Sequence, residues 1–298
     1  MSLARLGFAG HETFAFRYGW LKKAVDAVRA DARVFSREDA IVTLGVGKNM
    51  VESIRHWGIA TRMLEERPGG LIEVTTLGAL LLEECDPYLE HPASLWLLHW
   101  LLATNPARSA TWWLAFSRYP RPDFSKRQIL TYVKEYAERH AARAKESTLN
   151  RDVDCFVRTY VPSRGGEKVV AEDSFDCPLT ELGLIQALPD AESYQFAIGP
   201  KPSLPVAIFG FAVVSFWDQV RPGRQALALS ECLYGDGSPG QVFKLDENSL
   251  VEQAEALHEL TAGRIVLDET AGLKQLYRHA SVEAIELLRA YYSGRFDR

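Results

Sequence analysis

Residues 35–76 read FSREDAIVTLGVGKNMVESIRHWGIATRMLEERPGGLIEVTT, and this stretch holds every part of a winged helix-turn-helix. Ser36, with acids at Glu38 and Asp39, has the spacing of a capping box, and Ala40, Ile41 and Leu44 follow at helical intervals. A short first helix is predicted. Gly45 and Gly47 allow a tight corner. Lys48–Met63 then carries Val51, Ile54, Trp57 and Gly58 along one stripe, as a recognition helix would. Pro68, Gly69 and Gly70 separate Met63–Arg67 from Leu71–Thr75, two strands of a hairpin wing, and Thr76 can cap the helix that follows.

The polar face of the second helix fits the same reading. Lys48, Asn49, Ser53, Arg55, His56 and Arg62 fall largely off the apolar stripe, and all can contact phosphates or base edges; only Glu52 opposes them. Double-stranded DNA is the expected partner. A protein-docking winged helix would show the same solvated face, because folds of this kind serve both purposes.

A chain of 298 residues with 47% apolar and 24% charged content has the composition of a globular protein and suggests two or three domains. The longest apolar run, Leu95–Ala103, is interrupted by His99 and is about half the length needed to cross a bilayer, so a buried helix is expected there. The N-terminus carries no secretion pattern, which points to a cytoplasmic protein. Cys85, Cys155, Cys177 and Cys232 form no C-x-x-C pair, so neither a zinc ribbon nor a disulfide framework is expected.

The net charge of -5 is unevenly spread. Between Arg118 and Arg151 nine Lys/Arg face four Asp/Glu, a local balance of +5. Between Ala226 and Leu276 nine acids face three bases, a balance of -6. The first region suits a polyanion, while the second repels one and suits docking of a protein.

These patterns predict a mainly α protein: an N-terminal winged helix-turn-helix domain (1–92), a central helical domain (93–202) and a C-terminal acidic winged-helix-like domain (203–298). The Trp-rich stretch from Ser94 to Phe116 reads as the hydrophobic centre. Phe124–Asp152 reads as a basic helical segment with Ser125 as N-cap, and its Lys126, Arg127 and Lys134 suit either phosphate tracking or an ordinary solvated face. The C-terminal part repeats the winged-helix grammar: an apolar helix from Leu204 to Val220, a glycine-rich turn at Gly235–Gly240, a capped helix from Asn248 to Leu260 and a hairpin across Arg264–Tyr277.

Common enzyme motifs are absent. A phosphate loop needs a glycine where Val42 stands and a hydroxyl where Asn49 stands, and no H-E-x-x-H, G-x-S-x-G or G-x-G-x-x-G occurs. His11 and Glu12 could form an acid–base pair, although neighbours on an extended strand point to opposite faces. Metal-assisted strand cleavage needs converging carboxylates on magnesium or manganese. Asp152, Asp154, Glu172, Asp173 and Asp176 are the catalytic candidates, with Asp152 and Asp154 as metal ligands; salt bridging to Arg151 and Arg158 or helix capping would use the same residues.

Several blocks together resemble the SspB family of bacterial DNA phosphorothioation systems. They are Gly10-His11-Glu12-Thr13-Phe14 with Arg17 and Trp20-Leu21-Lys22-Lys23; Leu44-Gly45-Val46-Gly47-Lys48-Asn49-Met50-Val51 with Ser53-Ile54-Arg55; Asp86-Pro87-Tyr88-Leu89-Glu90 with Leu95-Trp96-Leu97-Leu98-His99; Arg151-Asp152-Val153-Asp154-Cys155; and Ser238-Pro239-Gly240 with Phe243-Lys244-Leu245. The resemblance extends over nearly the whole chain, and Gly45–Arg55 is its most specific block. It implies a DNA nickase in a sulfur-modification and antiphage defence pathway, partnered by a cysteine desulfurase, an ATPase and a sulfur transferase. The alternative from the residues alone is a non-enzymatic DNA-binding regulator or scaffold that recruits other proteins.

Overall fold

The computed structural model describes residues 5–162, 177–189, 192–270 and 272–294. The protein is mainly helical with small antiparallel sheets. It divides into two units, Met1–Ala115 with Tyr119–Phe196, and Phe116–Arg118 with Ala197–Arg298. The segments expected as separate domains at 1–92 and 93–202 thus lie almost wholly in one unit. Among the described residues no helix is long and apolar enough to cross a membrane.

The first unit opens with α1 (Trp20–Ala30), whose Trp20, Leu21, Ala24, Val25 and Val28 form one buried face. Then come α2 (Ala40–Leu44), α3 (Lys48–Ala60), and a hairpin of β1 (Leu64–Arg67) and β2 (Leu71–Val74), with Leu64 opposite Val74 and Arg67 opposite Leu71. The N–H of Ile72 also donates to the Ala32 carbonyl at 2.9 Å, tying the hairpin to the end of α1.

Three local expectations shift. The capping box at Ser36 does not form, because Ser36 lies in a short 3-10 turn and the Arg37 guanidinium takes both oxygens of Asp39 at 2.7 Å. The cap of α4 (Thr76–Ala79) is Thr75, whose hydroxyl accepts from the Gly78 N–H at 2.9 Å. Gly78 is required there, since a Cβ would stand 2.2 Å from the Met63 carbonyl oxygen. The predicted recognition helix stops at Ala60, short of Met63, because Arg62 adopts a left-handed φ of 59°.

After a wide turn at Leu80–Cys85, α5 (Pro92–Ala103) runs through the interior with every residue from Ala93 to Ala103 buried. A helix surrounded on all sides needs no polar face, which is why its sequence is apolar apart from Ser94 and His99. Asp86 starts it: its carboxylate accepts the N–H groups of Glu90 (2.9 Å) and His91 (3.0 Å) and the Ser94 hydroxyl. The tryptophans behave as expected, with Trp96, Trp100 and Trp112 buried and Trp112 meeting Trp57 edge to face at 5.6 Å.

Helix α6 (Ala110–Ser117) leads to β3 (Asp123–Ser125) and α7 (Lys126–Arg139), where Ser125 and Gln128 complete the expected capping box. The basic segment is not one helix, for the chain breaks at His140–Lys145 and restarts as α8 (Glu146–Tyr160). A three-stranded sheet, unforeseen because its strands are three or four residues long, joins β3 to β4 (Ile185–Ala187) and β5 (Ser193–Phe196) in the order β3-β5-β4.

The second unit contains α9 (Val206–Val220), β6 (Ala226–Ala228), α10 (Leu229–Tyr234), α11 (Pro239–Phe243), α12 (Glu247–Leu260), the hairpin β7 (Ile265–Thr270) and β8 (Leu273–Arg278), and α13 (Ala284–Tyr292). The sheet order is β6-β8-β7. Asp246 caps α12 through the Ser249 N–H at 2.8 Å, and Ser238 caps the helix hidden in the glycine-rich turn.

Asp86→Ala should leave two part-buried N–H groups and the buried Ser94 hydroxyl without their acceptor and cost about 1–2 kcal/mol, read as a lower unfolding midpoint in denaturant. Asp86→Asn, whose amide oxygen still accepts, should recover part of that loss.

Candidate functional site

The segment from Ala9 to Phe14 has a backbone that ordinary residues avoid. Ala9 (φ 60°), Gly10 (98°), Glu12 (44°) and Thr13 (69°) all lie in the left-handed region. Such conformations persist only where the surroundings over-determine them. Here the constraint is Asp152 of α8, 1% exposed: Oδ1 accepts the Ala9 N–H and His11 Nε2, each at 2.8 Å, and Oδ2 accepts the Thr111 hydroxyl. His11 Nδ1 accepts the Thr13 N–H at 3.1 Å. The Phe14 carbonyl accepts from Trp57 Nε1 at 3.1 Å and Cys155 Sγ at 3.4 Å, and Arg158 donates to the Thr13 carbonyl.

Burial lowers the proton affinity of His11 while Cys155 and Asp152 raise it, with a net upward direction. Nδ1, however, is already occupied by the Thr13 N–H. The hydrogen bonds therefore favour a neutral ring with its one proton on Nε2, facing Asp152.

His56 of α3 lies edge to face with His11 at 5.8 Å and is 8% exposed. Its Nε2 has no hydrogen-bond partner, and burial foremost, then positive charge on His11 whenever that ring is protonated, with Arg108 and Arg55 adding to it, depresses its pKa to about 3. It is a neutral imidazole. Gly10 makes room for it, since a Cβ on Gly10 would stand 2.5 Å from His56 Nδ1.

His56 lines a cleft of about 950 Å³ within the first unit. Around it stand Arg5, Arg55, Arg108, Arg143, Lys145 and Arg151, against only Glu12 and Glu52. Arg55 and Arg108 are both held by Glu66 of β1. Six cations from four separate stretches of chain face two acids, so the cleft attracts anions.

The residues singled out in the sequence are distributed as follows. Arg55 and His56 belong to the cleft. Lys48 and Asn49 are exposed at the start of α3, beside a second hollow of about 780 Å³ where the Arg17 guanidinium lies 5.6 Å from the Phe14 ring and 5.4 Å from the Trp20 ring. Ser53 is fully buried, and Arg62 donates to the Thr104 carbonyl at 2.9 Å. Beyond Glu52 only Arg55 of α3 retains partial exposure, because the N-terminal segment covers a second side of the helix. Lys126 pairs with Asp154 at 2.7 Å and Lys134 with Glu146 at 2.6 Å, bridging α7 to α8, while Arg127 lines a small hollow with Tyr119 and Tyr132. The basic stretch reaches the cleft through Arg143, Lys145 and Arg151 instead.

Asp152 and Asp154, expected to share a divalent ion, do not meet. Two residues apart on a helix, they point to nearly opposite sides; Asp152 already accepts three hydrogen bonds, and Asp154 faces Lys126. This pair does not fit a metal. Glu172, Asp173 and Asp176 lie outside the described residues. Among the described residues no group of three or more His, Cys, Asp or Glu side chains could hold an ion.

The fold and the cleft define a mainly helical protein with a concave cationic surface. A family model described as "Protein of unknown function (DUF4007)" matches residues 8–292. Two solved structures, a magnesium ion-bound SspB and SspB itself, each superpose with a TM-score of 0.88 at 30% sequence identity, covering 99% of this chain and 90% of theirs. No curated protein sequence matches significantly. The chain belongs to the DUF4007 family by its family model and to the SspB family by its solved relatives.

Gly10→Ala should force His56 aside and strain the backbone, with an expected cost of about 2–3 kcal/mol read by thermal unfolding. His56 also sets a pH dependence. Its folded pKa of about 3 lies below the ordinary 6.5, so unfolding takes up a proton between these values. That contribution to stability is complete above pH 6.5 and is lost as pH falls toward 3. Melting curves at pH 7 and pH 5 should show a smaller acid-induced drop for His56→Gln than for the wild type.

Proposed function

We propose that the cleft seats a DNA backbone and that the protein nicks one strand of duplex DNA within a phosphorothioation and antiphage defence pathway. The observation that carries the binding part is the concave wall of six cations against two acids. Neutralised phosphates release counterions and add affinity that does not depend on sequence. The order α1-α2-α3 followed by a two-stranded hairpin supports reading the N-terminal part as a winged helix, with Lys48 and Asn49 at the open end of α3 as further DNA contacts. The helix, strand, helices and hairpin of the second unit support a second, acidic winged-helix-like module suited to protein docking. Family membership supports the pathway and nicking, and with them a cysteine desulfurase, an ATPase and a sulfur transferase as partners.

The magnesium ion in one SspB structure raises a divalent ion as a component of the reaction. Because Asp152 and Asp154 do not fit one, no step is assigned to a metal here. Asp152 acts as the anchor of the Ala9–Phe14 segment. The same geometry favours the rival reading, a non-enzymatic DNA-binding scaffold, since one leading catalytic candidate is a satisfied structural group.

Purified protein incubated with supercoiled plasmid, with magnesium or manganese and with or without chelator, should yield open circles. Band shifts without open circles would decide for the scaffold. Arg143→Ala combined with Lys145→Ala and Arg151→Ala should weaken binding to all sequences and flatten the dependence of log affinity on log salt by roughly 0.9 per lost phosphate contact. Unchanged affinity would move the DNA seat away from the cleft.

A further inference from the structure

Glu12 has a position the proposed function leaves unexplained. It is exposed, lines the cationic cleft and makes no hydrogen bond or ion pair among the described residues, although six cations share that cleft. Its φ of 44° is one that a residue with a Cβ adopts only under constraint. The constraint acts from both sides. Before it, His11 and Ala9 are fastened to Asp152; after it, the Thr13 N–H returns to His11, and the Thr13 and Phe14 carbonyls are held by Arg158, Trp57 and Cys155. Glu12 is the unfastened side chain in the middle of a fastened loop. Packing does not account for this, since an exposed glutamate buries nothing.

The surroundings suit chemistry on an anion. The neutral, unpartnered imidazole of His56 is more than nine-tenths buried in the wall of the same cleft, and Gly10, next but one to Glu12, is kept bare to admit it. A phosphodiester held by the cations would lie beside a carboxylate whose backbone has already been fixed, and holding reacting groups close together before the reaction lowers the barrier to attack by water.

We infer that Glu12 is the general base of strand scission, receiving a proton from the water molecule that attacks the scissile phosphodiester in the cleft. The inference rests on the nicking reading above. The water oxygen bonds to phosphorus as its proton passes to the Glu12 carboxylate. The bond from phosphorus to the leaving sugar oxygen breaks, and that oxygen keeps the bonding pair and takes a proton from solvent. Glu12 then releases its proton to solvent. One water is consumed, one phosphodiester bond is cleaved, and nothing is oxidised or reduced. The cations balance the charge that builds on the phosphoryl oxygens.

The test is single-turnover nicking of supercoiled plasmid by the full chain, run alongside binding to the same plasmid and thermal unfolding. Glu12→Gln should nick at least about 100-fold more slowly than the wild type, in line with the loss of a general base. Its affinity for plasmid should equal or exceed that of the wild type, because a negative charge has left the seat. Glu12→Gly should be equally slow yet melt at or above the wild-type temperature, since glycine takes the left-handed backbone without strain. A Glu12→Gln protein that nicks at the wild-type rate overturns the assignment and leaves the nicking reading standing. A wild-type protein that binds plasmid but never nicks it overturns both.

Discussion

One buried carboxylate organises the first unit. Asp152 receives the Ala9 N–H, His11 Nε2 and the Thr111 hydroxyl, joining the N-terminal segment, α6 and α8 at a single point. A buried carboxylate is costly unless its lone pairs are taken up by donors, and here three donors converge on it. Without it the left-handed run from Ala9 to Thr13 has no reason to persist, and with that run would go the bare Gly10 beside His56 and the placement of Glu12.

The cleft shows why net charge is a poor guide to binding. A chain of -5 still assembles a wall of six cations, because Arg5, Arg55, Arg108, Arg143, Lys145 and Arg151 come from stretches far apart in sequence. Several of the cations most visible in the basic stretch are used otherwise. Lys126 and Lys134 clamp α7 to α8 through Asp154 and Glu146, a structural use of charge that a count along the chain does not distinguish from a ligand-binding one. The break at His140–Lys145 turns Arg143 and Lys145 toward the cleft.

The helix-to-hairpin order from Ala40 to Val74 was legible because each step has a local cause: glycine corners, a 3.6-residue apolar stripe, a Pro-Gly-Gly turn. The polar face of α3 was legible only in part. Periodicity identifies the side packed on the neighbouring helix, but α3 is covered on a second side by the Ala9–Phe14 segment, whose anchor lies more than 140 residues away at Asp152. That is why His56 becomes part of a buried wall and Ser53 is enclosed, while Arg55 stays half-exposed and paired with Glu66. The strands β3, β4 and β5 escaped notice because three or four residues carry too little alternation to be read.

By itself the sequence determined the mainly helical class, the buried Trp-rich centre, the glycine corners and the family likeness, since these rest on local conformational preference and on the size and polarity of neighbouring side chains. Tertiary structure alone decided what each charged residue does. Asp152, which in sequence could equally ligate a metal or bridge an arginine, became an anchor because the folded chain brought three donors to it; Glu12, an ordinary residue in a short motif, became an unpaired carboxylate on a constrained loop in a cationic cleft. The physical reason is that hydrogen bonds and electrostatic fields depend on distance in space, while composition and spacing record only distance along the chain.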